Sequence, residues 1–111
     1  MTRHIRLLGA ALMPLLASGI LTSVLAAAIV TVAQHNRAFT IRSVQIAQGD
    51  TVQVTNEDEF THQIYVNSPS TSFESDEQNP GETVNVRFPK PGTFEVRCHI
   101  HPKMLLTVAV H

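Results

Sequence analysis

Residues 98–104 read CHIHPKM and place one thiol, two imidazoles and one thioether in a single short segment. Cys98 is the only cysteine of the chain, and Cys98, His101 and Met104 stand at offsets 0, 3 and 6. That spacing suits a tight loop whose side chains turn toward one point. His62 lies far upstream, in a stretch where His62, Ile64 and Val66 alternate with Gln63 and Tyr65. His62 thus shares a face with two core-type residues, and a buried imidazole needs a hydrogen-bond partner or a metal. A soft thiolate and thioether with two imidazoles match copper better than other common biological metals, because sulfur favours Cu(I) and imidazole serves both oxidation states. Zinc fits less well, since a thioether is a poor ligand for it and it brings no redox chemistry.

The size of the chain sharpens the case for a metal. At 111 residues there is room for one small domain. A domain of this kind buries only about 60% of the surface its unfolded chain exposes and often depends on a disulfide or a metal. A lone cysteine rules out an internal disulfide. Outside the cytoplasm a single thiol must be buried, paired with another chain or bound to a metal.

Export is indicated by the N-terminus. Arg3 and Arg6 precede Leu7–Ala33, a run without a charged side chain that ends in Thr31-Val32-Ala33. A basic start followed by an apolar stretch with small residues is the pattern of a signal peptide, so residues 1–33 are read as a leader and residues 34–111 as the domain. The alternative is an uncleaved anchor, because residues 7–33 as a helix would be about 40 Å long and could cross a bilayer. Either way the domain faces the periplasm or another extracytoplasmic space, with Arg3 and Arg6 on the inner side.

After residue 33 six Lys and Arg residues face nine carboxylates, a net charge of −3. No basic footprint for nucleic acid is present. The acidic clusters Glu57-Asp58-Glu59 and Glu74/Asp76/Glu77 read as solvated loops, or as a docking patch for a basic partner.

The elements that must position the donors read as six short strands separated by turns. Phe39, Ile41, Val44 and Ile46 form an imperfect alternation closed by Gln48-Gly49-Asp50, and Thr51–Thr55 alternates cleanly up to Asn56. His62–Val66 follows, then a long connection from Asn67 to Gly81 with Phe73 as an inward anchor. Val84, Val86 and Phe88 share one face of the next strand, and Pro89-Lys90-Pro91-Gly92 is expected to form a hairpin turn. Phe94, Val96 and Cys98 then point inward while Glu95 and Arg97 face water, and Leu106, Val108 and Val110 make the last strand. With no helical period after the leader, the fold class is an all-β sandwich.

The segment CHIHPKM resembles the C-terminal copper loop of the cupredoxins, the plastocyanin-like and amicyanin-like blue copper proteins, and its Cys-x-x-His-Pro-x-Met spacing is of the short-loop amicyanin type. The similarity extends through GDTVQVTNEDEFTHQIYV and NPGETVNVRFPKPGTFEVRC, covering nearly all of residues 34–111. The resemblance implies a small Greek-key β-sandwich holding one copper per chain. His62, Cys98 and His101 would form the strong trigonal set and Met104 the long axial contact. It further implies an electron carrier rather than an enzyme, with redox-protein donor and acceptor and an electron port at the His101 edge beside Pro102. A monomer, free or tethered through residues 7–33, is expected.

This chain departs from its relatives in three places. Gln63 stands where many carry an Asn that ties the two ligand loops together, Leu105-Leu106 follows Met104 where many have a Gly, and His99 lies between the ligand positions. By alternation His99 should face away from the metal and be exposed. His4, His35 and His111 are expected to be exposed and unbound. Two other readings remain at this level: a copper-handling protein for delivery, sequestration or resistance, and a structural sandwich with an incidental buried cysteine. Nucleophilic catalysis by Cys98 would need an open cleft that no segment here provides.

Overall fold

The structure, a computed structural model, describes residues 9–15, 18–20 and 26–111. Residues 1–8, 16–17 and 21–25 of the expected signal or anchor helix lie outside the described residues. No helix among the described residues is long and apolar enough to cross a membrane.

Among the described residues, nine strands build two facing sheets. They are β1 (Ile29–His35), β2 (Ala38–Phe39), β3 (Ser43–Ile46), β4 (Thr51–Asn56), β5 (Ile64–Asn67), β6 (Ser72–Glu74), β7 (Thr83–Arg87), β8 (Gly92–Cys98) and β9 (Leu105–Val110). One sheet runs β2-β1-β4-β7 and the other β3-β9-β8-β5-β6. The period-2 patterns decide which side chains meet between them: in β4 the buried residues are Val52, Val54 and Asn56, and in β9 they are Leu106, Val108 and Val110. Phe88, Phe94, Ile64 and Val96 fill the centre, each side chain worth roughly 1.5–3 kcal/mol of apolar burial. Cys98 and Met104 belong to the same core cluster.

Four expectations change. Strand β1 pairs in parallel with β4 from Ile29↔Thr51 to Gln34↔Asn56, so it reaches back across the boundary expected at Gln34. Its apolar residues, among them buried Val32, read as a continuation of the leader because β1 follows without an intervening charge or turn. The alternation from Phe39 to Ile46 is two strands in different sheets, and Ile41 between them is exposed. The long connection contains β6, whose Phe73 packs against the core as expected. Pro89–Gly92 is not a hairpin turn: β7 pairs with β4 and β8 with β5 and β9, so this turn carries the chain from one sheet to the other.

A tight hairpin does join β1 to β2, at Asn36 and Arg37. Both have positive φ (52° and 56°), the two-residue type I′ geometry that matches the strand twist. It turns the Arg37 backbone N–H toward the end of the sandwich where the histidines lie.

Candidate metal centre

Each donor reaches the site by a different route. Cys98 is the last residue of β8, on the inward side of the alternation, and is 2% exposed. The chain then leaves the sheet for six residues and returns at Leu105, which pairs with Arg97. Inside that loop the Met104 N–H donates to the His101 carbonyl at 3.0 Å, which closes a tight turn over residues 101–104. Met104 is 2% exposed and His101 half-buried.

His62 comes from the approach to β5, two residues before Ile64, which pairs with Cys98. It forms an isolated bridge with Gln78, its N–H donating to the Gln78 carbonyl at 3.0 Å and its carbonyl accepting from the Gln78 N–H. Gln78 is held in turn, its side-chain amide donating to the carbonyls of Val54 (2.9 Å) and Glu82 (2.7 Å). The Asn56 amide donates to the carbonyls of Phe60 (2.8 Å) and Gln78 (3.0 Å), which closes the loop before His62. His62 is fully buried.

Three donor atoms converge. The His62 Nδ1 lies 3.7 Å from the Cys98 Sγ and 3.2 Å from the His101 Nδ1. All three atoms fall within 4.8 Å of one another. Nitrogens bound to one ion at about 2.0–2.1 Å, with an angle between trigonal and tetrahedral, are roughly 3.3–3.6 Å apart, and a sulfur at about 2.3 Å sits slightly farther away. The observed separations are of that size. Carboxylate is absent from the converging set, so the donors present are soft or borderline and suit copper rather than a hard cation. The Gln63 N–H donates to the Cys98 Sγ at 3.4 Å, a further tie between the two ligand-bearing segments.

The links between the two ligand-bearing segments also come into view. The Gln63 side chain does not reach the 98–104 loop; its amide donates to the Ser75 carbonyl at 3.1 Å. Backbone atoms tie the segments instead, with the His99 N–H donating to the Gln63 carbonyl at 2.9 Å. His99 points away from the donor cluster, as alternation predicts. Its ring stacks on Tyr65 at 3.9 Å and its Nε2 lies 2.7 Å from the Glu74 Oε1. His35 and His111 are exposed and outside the cluster, whereas His4 lies outside the described residues.

Asp58 is the residue that sequence reasoning misses. Its place in the Glu57-Asp58-Glu59 cluster predicts a solvated loop or a docking patch, and its two neighbours are exposed. Asp58 itself is buried, with its Oδ2 3.1 Å from the His62 Nε2. Burial works to raise its pKa, but hydrogen bonds from the Arg37 and Glu59 N–H groups and from His62 outweigh it and hold the carboxyl below its ordinary value. His62 is also shifted down, first by burial and then by the neighbouring His101, against the opposing pull of Asp58. The only signal in the sequence is the Asn56-x-Asp58 spacing of an Asx turn, in which the Asp58 N–H donates to the Asn56 Oδ1 at 2.9 Å.

At the surface, His101 borders a hollow of about 280 Å³ with Arg37, Ile100, Pro102 and Lys103. Phe60 meets the His101 ring edge-on at 6.0 Å, and the Arg37 guanidinium lies 4.0 Å over Phe60. The exposed part of the centre is therefore framed by apolar groups and two cations.

Comparison with known proteins agrees with this geometry. A reduced amicyanin variant superposes with a TM-score of 0.69 at 19% identity, over 75% of this chain and 82% of that one. A purple cupredoxin from Nitrosopumilus maritimus gives 0.66 at 21%, over 74% and 99%. A copper-containing nitrite reductase from Thermus scotoductus gives 0.67 at 29%, over 74% of this chain but only 22% of that much longer one. The model of the copper-binding proteins of the plastocyanin/azurin family matches residues 26–111, which include β1 and all four of His62, Cys98, His101 and Met104. With the sandwich, the converging donors and that match in agreement, the chain belongs to the plastocyanin/azurin family of copper-binding proteins.

Proposed function

We propose that this protein is an exported one-electron carrier whose copper would be held by His62, Cys98, His101 and Met104. The observation that carries the reading is the convergence of two imidazole nitrogens and one sulfur at the end of a rigid β-sandwich, with the thioether-bearing Met104 buried in the same loop. When bound, copper would supply a couple between Cu(I) and Cu(II), with Met104 and the groups around the Cys98 sulfur tuning its potential.

The chain's own residues do the rest. The bridge to Gln78 and the β8–β9 register hold the donors in place, which opposes rearrangement between oxidation states. Core side chains exclude water from Cys98 and Met104. His101, half-buried beside an apolar hollow, provides the path for the electron to donor and acceptor redox proteins. We take the protein to work as a monomer and not as an enzyme, in the periplasm or an equivalent compartment, either free or tethered by its apolar N-terminal run. A leader that is removed would end before Ile29, because β1 supplies one edge of the β4 pairing.

A carrier is favoured over a copper-handling role because His99, the natural candidate for a second capture position, is engaged by Glu74 and Tyr65. The test is one equivalent of Cu(II) added to the metal-free protein, followed by ascorbate and reoxidation. An intense thiolate-to-copper band that bleaches and returns, with copper retained against a Cu(I) chelator, is the expected result. A weak band, or loss of the metal on reduction, overturns the carrier reading. Cys98→Ser should abolish the band entirely.

A further inference from the structure

Asp58 places a carboxylate against His62, the buried histidine of the donor set. Its carboxylate is fixed from several sides. Oδ2 accepts from the Arg37 N–H at 2.7 Å and lies 3.1 Å from the His62 Nε2, while Oδ1 accepts from the Glu59 N–H at 2.9 Å. Its own backbone N–H is held by Asn56, which also ties Phe60 and Gln78. The side chain is 3% exposed, so salt and water do little to screen it.

This arrangement has two chemical consequences. An ionised carboxylate accepts only, so the proton of a neutral His62 must sit on Nε2, leaving the Nδ1 lone pair directed at Cys98 and His101. Negative charge at the far side of an imidazole also makes its other nitrogen a stronger donor and favours the more highly charged state of a bound ion. The two backbone caps explain why the loop folds as it does, but they do not require the third contact, to His62.

Resting on the copper reading above, we propose that Asp58 is a positioning residue that fixes the His62 tautomer and lowers the reduction potential of the centre by stabilising Cu(II) over Cu(I). The effect is confined to one ligand, since the residues beside His101 are apolar or cationic.

The test uses the copper-loaded full chain and its Asp58→Asn variant, compared by redox titration of the visible band. Removing such a partner weakens metal binding by about 10- to 100-fold. If the loss falls mainly on Cu(II), the potential rises by about 59 mV for each factor of ten in a one-electron couple. A folded, blue Asp58→Asn protein with unchanged potential overturns the proposal and leaves the copper reading intact. A wild type with no thiolate band overturns both. Because the substitution also removes a cap and could prevent folding, nitrogen-15 NMR of the unaltered metal-free protein supplies a second measurement. A slowly exchanging His62 proton on Nε2 is expected, and a proton on Nδ1 instead overturns the assignment.

Discussion

His62 and His101 offer the same nitrogen to the same point from opposite circumstances. His62 is fully buried, bridged to Gln78 through its backbone and bonded to a carboxylate at its far nitrogen. His101 sits on a loop outside the sheets, half-exposed and bordered by Ile100, Pro102, Arg37 and Lys103. One imidazole is therefore part of the architecture and the other part of the surface. A centre that must keep its geometry and still exchange electrons with large partners needs both.

Substitution of each histidine by alanine should break this symmetry most strongly. His62→Ala leaves a cavity in the core and removes one of the three hydrogen bonds that hold the buried Asp58 carboxylate, a change that should cost about 3–5 kcal/mol of stability. The same change at His101 should cost less than about 1 kcal/mol. Urea unfolding of the two metal-free variants measures the difference, and equal losses would contradict it. Acid should act on the buried imidazole next. The fold depresses the His62 pKa, so the unfolded chain takes up the proton near its ordinary value of 6.5 while the folded chain resists. Stability of the metal-free protein is therefore full above that pH and declines below it, by up to about 1.4 kcal/mol per pH unit for one proton. Asp58, whose pKa the fold also lowers despite its burial, adds its own loss only as the pH falls below its ordinary 3.8. Thermal midpoints between pH 7.5 and 5 would show the first of these declines.

Smaller effects sharpen the comparison within the 98–104 loop. Met104→Leu should retain copper and raise the potential by an amount of the order of 59 mV, a factor of ten, because a weak donor is replaced by none. Voltammetry that finds no change would remove Met104 from the axial position. His99→Ala should alter stability by less than about 0.5 kcal/mol and leave the visible band untouched, since its contacts to Tyr65 and Glu74 lie outside the donor cluster.

The two histidines also differ in how plainly the sequence announces them. Cys98, His101 and Met104 are legible because their geometry is local: a strand end, a three-residue step and a turn. His62 is legible from its alternation with Ile64 and Val66, one step less directly. What holds His62 is not legible, because Asp58, Gln78 and Asn56 act through contacts that only the closed loop creates. Glu57, Asp58 and Glu59 look alike on the page, yet only the middle one turns inward. The same limit applies to the fold. Turn residues mark where the chain bends at Pro89–Gly92 but do not say which sheet receives the next strand, and β1 merges with the apolar run before it because both are uncharged.

The pairing of Arg97 with Leu105 has a consequence of its own. It brings β8 and β9 together directly behind residues 99–104, so the segment carrying His101 and Met104 is an insert between two anchored ends. Its length and composition can change while the strands on either side keep their partners. A lineage could retune this centre by editing a six-residue cassette, leaving the rest of the molecule as inherited chassis.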